Sequence, residues 1–508
     1  MEIKNIIIVG GGSAGWMTAA TLIHQFPDKN ITLIESPKTP TVGVGESTLG
    51  YIKGWMHLLE IDESFMKDCD ASYKLSIRFE DFYKKDYGHF HYPFGVPNLK
   101  GNNHLLNDWY LASFYKKLPI TDYADSLFPG MSLVNNKRLF KNKDNSLEGF
   151  NFQRDVAYHF DATKFGLWLK NNYCIPRGVK YLLEDIDNIK LNNEGIESLN
   201  NKHKADLFID CTGFRSLLLS KQLKEPFDSY EDILPNNSAW ATKQPYKDKE
   251  KQINPYTDCK AVENGWIWNI PLWSRIGTGY VYSDKFISDE DALKQFQGHI
   301  GTSELEFRNI KMRVGLHKRL WVKNVCAIGL SAGFIEPLES NGLFTVHEFL
   351  IKLVRTLKRG HTSQWDKDVF NAGCKSMFRE FAEFVSMHYA FSHREDTPYW
   401  KAVSKKVYCQ DLLDQKPQFI NGFVLAAYNK IRDYHFSYNT GLHCVATGLN
   451  YFPTDIASIL SETKMTQEQF DNLCKNSYEH LQIKKQEWEE VALKQPTLFQ
   501  ALKNIHEN

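Results

Sequence analysis

Two glutamates with no obvious structural purpose, Glu336 and Glu339, flank a Pro-Leu step in the stretch Cys326–Gly342, which reads CAIGLSAGFIEPLESNG. The apolar run Val325–Leu330 predicts a short buried strand, and the apolar residues after Gly342 repeat at helical spacing. A turn between them delivers N–H groups without intrahelical partners to the positive end of a helix, which suits an anion. An ordinary strand–loop–helix capped by Ser340 is the alternative that local pattern leaves open.

A second turn with chemical potential lies near the N-terminus. The residues Ile3–Val9 predict a buried parallel strand, Gly10–Gly15 contains G-x-G-x-x-G, and Trp16–Phe26 continues as a helix. The next strand, Ile31–Ile34, ends at Glu35. The glycines permit a tight turn close to a pyrophosphate, and the acid can accept the ribose hydroxyls of a dinucleotide. Strand, glycines, helix, strand and acid in this order predict dinucleotide binding.

Two further strand-like segments carry residues that pattern alone does not explain. In Ala71–Phe79, ASYKLSIRF, alternation places Lys74 on the polar face, where we expect a solvated lysine. In Gly265–Pro271, GWIWNIP, Trp266 and Trp268 share one face and are an expected hydrophobic contribution to a core. The segment 157–169, AYHFDATKFGLWL, has helical periodicity.

The elements that position these residues belong to a large chain of 508 residues with balanced charge, 61 basic and 61 acidic. That balance gives no electrostatic reason to expect nucleic acid or an acidic membrane surface. Nine scattered cysteines argue against a secreted disulfide framework, and no apolar run approaches membrane-spanning length. A strand begins within three residues of the start, so no signal peptide is expected, and the predicted location is cytoplasmic. His388 and His393 lack partners at metal-ligand spacing, so no metal site is predicted.

Strands interleaved with helices predict an α/β fold of Rossmann-like type. We expect a dinucleotide-binding core over residues 1–360, with an aromatic insertion at about 85–155, and a mostly helical module over 361–508 that helps to bind or cover a substrate.

Taken together, the motifs resemble those of the flavin-dependent halogenases of the tryptophan-halogenase family. The resemblance covers roughly residues 1–400 in consistent order. It rests on GGGSAGW, VGVGES, ASYKLSIRF, AYHFDA, DLFIDCTGF, GWIWNIP, EPLESNG and HYAFSHREDTPYW. The implied fold is the FAD-binding flavoprotein monooxygenase fold with an added helical substrate module.

The resemblance implies a two-component enzyme. A separate NAD(P)H-dependent flavin reductase supplies FADH2, which reacts with O2 to give a flavin hydroperoxide. A halide ion (chloride, bromide or iodide) attacks the distal oxygen, and the resulting hypohalous acid reaches an essential lysine beside a small aromatic substrate. Related enzymes are commonly homodimers.

The resemblance also assigns roles to individual residues. Lys74 matches the essential lysine, and Glu339 matches the glutamate that works beside it by polarising the oxidant and accepting the proton lost by the ring. The halide site maps onto Ser340, Asn341 and Gly342, and Trp266 and Trp268 match the pair that separates flavin from substrate. The expected cofactor contacts are Gly10, Gly12, Ser13, Ala14, Gly15, Glu35, Gly45, Glu46, Ser47, Ile186, Leu330 and Leu343. The expected substrate-pocket residues are Tyr92, Phe94 and His388.

Three departures from the family bear on halide and substrate. Asn341 stands where Thr is common, so halide preference is open, although backbone donors survive the change. Tyr92–Gly95 reads YPFG where tryptophan-type enzymes usually carry His-Pro-Phe-Gly. The C-terminal third lacks a clear match to the lid that holds free tryptophan, so an indole, a phenol or a larger aromatic is as good an expectation. The alternatives for the whole chain are a flavin-dependent aromatic hydroxylase and a non-catalytic flavin-binding protein.

Overall fold

The computed structural model describes residues 2–38, 45–98, 108–141, 147–405, 440–450, 457, 460–461 and 464–507. Residues 41–44 of the predicted loop TVGVGES lie outside the described residues. The chain forms two compact units, each assembled from separate segments. The first unit comprises Met1–Ser72, Tyr158–Tyr246 and Leu272–Ala382, and the second comprises Tyr73–Ala157, Lys247–Pro271 and Glu383–Asn508. The modules 1–360 and 361–508 expected from sequence stay a prediction.

The described strands are short and are numbered here in chain order. They are β1 Asn5–Val9, β2 Asn30–Glu35, β3 Gly45–Ser47, β4 Ser72–Lys74, β5 Ser76–Glu80, β6 His89–Pro93, β7 Ala157–Asp161, β8 Lys180–Leu183, β9 Ile189–Asn192, β10 Gly195–Leu199, β11 Leu207–Asp210, β12 Phe227–Ser229, β13 Ser238–Gln244, β14 Tyr256–Val262, β15 Gly265–Pro271, β16 Ile276–Tyr282, β17 Arg308–Lys311, β18 Gly315–His317, β19 Trp321–Val322, β20 Val325–Ala327 and β21 Gly333–Phe334.

The described α-helices are numbered in the same way. They are α1 Ser13–Gln25, α2 Ile52–Leu58, α3 Phe65–Asp68, α4 Asp108–Tyr115, α5 Asp122–Leu127, α6 Gly130–Asn135, α7 Phe152–Asp155, α8 Ala162–Trp168, α9 Lys249–Gln252, α10 Asp289–Ile300, α11 Gly342–Leu357, α12 Gln364–Ala390, α13 Pro398–Lys405, α14 Thr440–Gly448, α15 Gln467–Leu493 and α16 Leu498–His506. Short 3₁₀ or π turns occupy Leu169–Cys174, Ile175–Arg177, Gly213–Arg215, Leu217–Gln222, Gly329–Ser331 and Pro337–Glu339.

The first unit is built on a six-stranded sheet in the order β19-β20-β11-β1-β2-β8. All pairings within it are parallel except that of β19 with β20. The residues Ile6–Val9 of β1 are all buried, as expected for a central strand covered on both faces. Shortening one of the fully buried residues in this strand, such as Ile8, to alanine would cost about 2–5 kcal/mol. The carboxyl ends of β1, β2, β11 and β20 meet at one edge, where open α/β sheets bind ligands.

One local prediction was wrong. Residues 157–161 form the strand β7 and not the start of a helix, and α8 begins only at Ala162. β7 pairs antiparallel with β3, with Gly45 opposite Asp161, so tertiary pairing overrides the helical periodicity. Asp161 then caps α8, accepting hydrogen bonds from the N–H groups of Thr163 and Lys164.

The second unit contains four neighbouring strands in the order β15-β14-β5-β6. β14 pairs parallel with β5 and antiparallel with β15, and β6 pairs antiparallel with β5. Helix α14 packs on β6: a Cβ at Gly448 would lie 2.1 Å from the ring of Phe90, so only glycine fits there. Helix α15 packs against α4, α5 and α6, and Ser477 on it donates to the buried Asp108.

The eight cysteines in the described part of the chain are all buried. Burial raises the pKa of the Cys211 thiol to about 12, so this sulfur stays protonated at neutral pH. Within the described residues, none of the helices has both the length and the hydropathy needed to cross a membrane.

Candidate functional site

The turn before α1 is shaped by three glycines with different tasks. Gly10 has φ +116°, and a Cβ there would lie 2.2 Å from the carbonyl oxygen of Cys211. A Cβ at Gly15 would lie 1.9 Å from the carbonyl oxygen of Gly10. At Gly12, by contrast, a Cβ would meet nothing within 4 Å. Close packing therefore requires Gly10 and Gly15, whereas Gly12 leaves open space at the start of α1.

Helix α1 offers that space its N-terminus. Gly12 is the N-cap and supplies no side chain, and the first turn contains no acidic residue. The Ser13 hydroxyl is turned away to donate to the carbonyl oxygen of Ala162, at 3.1 Å. Ala14 packs against Gly329, where a Cβ would lie 2.7 Å from its own. The unused N–H groups and the open space fit the diphosphate of a dinucleotide.

Glu35 lies where a ribose-binding acid is expected. It ends β2 and is half-buried, and its carboxylate lies against the glycine turn, 2.2 Å from where a Cβ would stand at Gly11. The Tyr181 hydroxyl donates to its Oε2 at 2.9 Å. Ile186, also half-buried, follows the neighbouring strand β8 by three residues. The geometry suits an adenosine end, and both assignments stay predictions.

The strand β3 brings Gly45, Glu46 and Ser47 beside the start of α11. Glu46 is half-buried, and its Oε2 lies 3.5 Å from the position that a Cβ would take at Gly342. Burial, followed by the charge of Asp161, raises the pKa of the Glu46 carboxyl to about 7. A substantial fraction of this acid is therefore neutral at physiological pH.

The EPLESNG loop, Glu336–Gly342, is hydrogen-bonded to β3, and both of its glutamates are buried. The Ser340 hydroxyl donates to Ser47 Oγ at 3.0 Å, and Ser340 is held in the left-handed region with φ +58°. Glu336 and Glu339 are completely buried. The Glu336 carboxylate accepts a hydrogen bond of 2.8 Å from the Asn236 side chain, so this acid has a structural partner.

Helix α11 starts at Gly342 without a side-chain cap and without an acidic residue in its first turn. Asn341 occupies the N-cap position, but its amide nitrogen donates backwards to the carbonyl oxygen of Ile335, at 3.3 Å. Leu343 is buried in the first turn, and Leu330 is half-buried in the turn that follows β20. The N–H groups at this helix start are thus left available for an anion.

In the second unit, Lys74 is fully buried, which corrects the expectation of a solvated lysine. Its Nζ lies 5.0 Å from the ring centroid of Phe94. The alternation of apolar and polar residues on β4 and β5 is as expected, but both faces are buried from Ser72 to Ile77. Ser76 hydrogen-bonds to His91 Nδ1 at 3.0 Å. Fully buried lysines are rare, so the burial of Lys74 indicates a structural or functional role for its ammonium group.

Aromatic rings collect around the predicted substrate-pocket residues. Tyr92 lies 6.1 Å from Phe94 and 6.1 Å from Phe384 between ring centroids. His388 is fully buried on α12, with its ring 6.0 Å from Phe384 and 4.6 Å from Phe79. Tyr92, Phe94 and His388 therefore lie in one aromatic cluster, together with Phe384 and Phe79.

The two tryptophans of GWIWNIP share one face of β15, as expected. Their ring centroids lie 6.2 Å apart, and both side chains are buried. Trp266 pairs with Ala261 and Trp268 with Cys259 on β14. The small partners leave room for the indole rings on this strand.

The comparison with known proteins shows to which protein family a chain with these site residues belongs. Residues 5–464 match the sequence signature of a protein family that is described as "Tryptophan halogenase". The chain belongs to the tryptophan halogenase family. A tryptophan 6-halogenase from Streptomyces toxytricini is 36% identical over 425 residues, which span 78% of this chain and 80% of that protein.

Two solved structures agree with this fold over almost the whole chain. VirX1 in its apo form matches with a TM-score of 0.89 at 34% identity, covering 99% of both chains. Tar14, a tryptophan C-6 flavin-dependent halogenase from taromycin biosynthesis, matches with a TM-score of 0.83 at 30% identity, also covering 99% of both chains. The predicted family and the Rossmann-like fold class are confirmed. This member of the tryptophan halogenase family is a flavin-dependent halogenase with FAD as cofactor and a small aromatic compound as substrate class.

Sequence reasoning missed two charged residues of this halogenase near β3. Asp161 pairs with Arg275, whose Nη2 donates to it at 2.8 Å, and Asp161 is also the main charge acting on Glu46. The order Asp-Ala-Thr-Lys is a helix N-cap signature and could have located Asp161 at a strand end. Arg275 follows β15 in a turn, and its sequence context carries no comparable signal. Among the described residues, no group of three or more potential ligands could hold a metal ion.

Proposed function

We propose that this chain is the halogenating component of a two-component system that uses FADH2, O2 and a halide ion to halogenate a small aromatic compound. A separate NAD(P)H-dependent reductase supplies the reduced flavin. When bound, reduced FAD would supply two of the four electrons that reduce dioxygen to water, and the halide would supply the other two as the halogen becomes electrophilic. The aromatic ring exchanges a proton for this halogen.

The observation that carries the proposal is the complete burial of Lys74, at the position the family resemblance assigns to the essential lysine. Burying an ammonium group is costly unless it is compensated or used. We propose that Lys74 holds the halogen electrophile, either by hydrogen bonding to hypohalous acid or as a haloamine. Phe94, with its ring 5.0 Å from Nζ, supplies an apolar wall with affinity for the cation.

We assign Glu339 the proton-handling role and the N–H groups at Asn341 and Gly342 the halide. Glu339 is fully buried in the loop that begins α11. A carboxylate there can polarise the oxidant and accept the proton that the ring loses. The free helix start holds the halide through hydrogen bonds that do not depend on the side chain at position 341, and Ser340 fixes the loop through Ser47.

We assign the flavin to the first unit. The diphosphate would lie at Gly10–Gly15, and Glu35 would accept the ribose hydroxyls. Gly45, Glu46, Ser47, Ile186, Leu330 and Leu343 complete the proposed cofactor contacts. Trp266 and Trp268 keep the aromatic substrate from the flavin, and Tyr92, Phe94 and His388 line its pocket. A homodimer is expected and is checked by light scattering.

The deciding experiment uses the purified protein, a generic flavin reductase, FAD, NADH, O2 and catalase. Indole and other small aromatics are offered with chloride, bromide or iodide, and products are read by mass spectrometry. We expect product that carries the supplied halogen and that disappears with Lys74→Ala, while FAD binding and oxidation of reduced flavin continue. Reactions without this protein control for free oxidant.

The chain offers a matched control for this variant. Lys53 is also buried, and its Nζ lies 5.3 Å from the ring of Tyr158, much as Lys74 lies over Phe94. Lys53→Ala removes a buried lysine of similar environment and should retain halogenation. Equal product from Lys74→Ala and the native protein would remove the lysine from the mechanism, and product that gains oxygen instead of halogen would make the protein a hydroxylase.

A further inference from the structure

Three observations meet at the first residue of α11. The helix start has no side-chain cap and no acidic residue in its first turn. Gly342 keeps a Cβ away from it, and the Glu46 carboxyl stands there instead, with Oε2 3.5 Å from the vacant Cβ position. The bond between Ser340 and Ser47 fixes β3, and therefore Glu46, against this loop.

We propose that Glu46, in its neutral protonated form, is a ligand of the halide site and donates its carboxyl proton to the halide beside the N–H groups at the start of α11. This inference rests on the proposed function, because it concerns the halide of that reaction. It gives Glu46 a role beyond the cofactor contact expected for the β3 loop.

The electrostatics around Glu46 favour the neutral form. Burial and the charge of Asp161 raise the pKa of Glu46 to about 7. Arg275 donates to Asp161 at 2.8 Å, and this ion pair offsets part of the charge of both groups, so burial is the larger cause of the raised Glu46 pKa. A neutral acid can donate a hydrogen bond to an anion, whereas its carboxylate would repel that anion in a site with little water.

Other ionisable groups lie on the elements packed against β3 or in the loop before α11. They are His159 and Asp161 on β7, Arg275 before β16, Glu336 and Glu339 in the loop before α11, and His347 and Glu348 on α11. Glu348 provides a contrast, because the hydrogen bond from His347 lowers its pKa and keeps it ionised.

The proposal links halide binding to a proton. Because only protonated Glu46 is a ligand, halide affinity should be constant below pH 6 and fall about tenfold per pH unit above pH 7. By the same linkage, binding of a halide raises the Glu46 pKa further. Adding chloride at pH 8 should therefore cause the protein to take up about one proton per bound ion.

The test is chloride binding to the full-length protein with oxidised FAD present, measured by broadening of the chloride NMR signal and by proton uptake in weak buffer. The native protein should lose the broadening between pH 6 and pH 8.5. Glu46→Gln keeps a neutral hydrogen-bond donor, so its binding should persist across this range without proton uptake. The control Glu348→Gln should follow the native profile, and so should His347→Asn.

A second variant covers the case in which Glu46→Gln fails to fold. Asp161→Asn retains a good helix cap but removes the charge that raises the Glu46 pKa, so the pH of half-maximal chloride binding should fall. Chloride binding that does not depend on pH, or a Glu46→Gln profile identical to the native one, overturns the proposal. If the native protein makes halogenated product but gives either of these results, the proposed function stays intact. A native protein that makes no halogenated product would refute both this proposal and the proposed function.

Discussion

Two turns in the first unit lead from a strand into a helix, one before α1 and one before α11. Both surround a helix start that has no side-chain cap, but they are built differently. Both helices start without a side-chain cap and without an acidic residue in the first turn. The turn before α1 is made of glycine backbone and leaves open space at Gly12. The turn before α11 is enclosed, with two buried glutamates in it and Glu46 against it.

The difference matches the size of the anion that each turn is proposed to hold. A diphosphate brings its own charge and several oxygens, so it needs room and many N–H groups. A single halide makes few contacts, so each group beside it must lie within hydrogen-bonding distance and be protonated in order to donate. Variants at the two turns should therefore fail in different ways.

The largest effect is expected at Gly10. Gly10→Ala places a Cβ 2.2 Å from the Cys211 carbonyl oxygen and forces alanine into a left-handed backbone conformation. We expect a loss of more than about 4 kcal/mol in the free energy of unfolding, because backbone on both sides must move. Urea denaturation measures it, and a loss below 1 kcal/mol would show that the turn relaxes easily.

Gly12→Ala should separate folding from cofactor binding. A Cβ there meets nothing within 4 Å, and Gly12 has φ −75°, which alanine adopts freely. We expect an unchanged melting temperature but FAD affinity reduced by about 100-fold, equivalent to about 2.7 kcal/mol, because the methyl group occupies the place of the diphosphate. Unimpaired FAD binding, measured by flavin fluorescence, would place the cofactor elsewhere.

In the turn before α11, replacing Glu336 tests whether this buried acid has a structural role. Glu336→Ala leaves the buried side-chain amide of Asn236 without its 2.8 Å acceptor and should cost about 1–3 kcal/mol of stability. Replacing both residues by alanine should cost less than the sum of the single changes. Additive losses in urea denaturation would mean that the two residues are not coupled.

The smallest effect is expected at Ser340. Its φ of +58° is less favourable for serine than for glycine, and its hydroxyl donates to Ser47. Ser340→Ala loses the bond and keeps the strain, whereas Ser340→Gly loses the bond but relieves the strain. We expect the glycine variant to be more stable than the alanine variant by about 1 kcal/mol in thermal unfolding. The reverse order would mean that the backbone is not strained there.

The same contrast explains what could be read from the sequence. The turn before α1 was predictable because strand, glycines, helix and acid are all local, within residues 3–35. The helix start at Gly342 was predictable for the same reason. The position of Glu46 beside it was not, because β3 ends at Ser47 and contacts a helix that begins only at Gly342, almost 300 residues later in the chain.

The burial of Lys74 could not be predicted from alternation. Alternation tells which residues share a face, but not whether the rest of the chain buries that face, and here both faces are buried from Ser72 to Ile77. Local periodicity also failed at β7, where pairing with β3 outweighs the helical pattern of residues 157–161. The resemblance to a known family singled out Lys74, which the physical pattern did not.

The buried thiols have a consequence for the durability of the catalyst. Under the proposed mechanism the protein makes hypohalous acid, which endangers its own cysteines because thiolates react with such oxidants far faster than most groups. In the described part of the chain every cysteine is buried, and the Cys211 thiol stays protonated. Self-inflicted inactivation during long turnover should therefore fall on other side chains, and these eight thiols should still be found unoxidised in the spent enzyme.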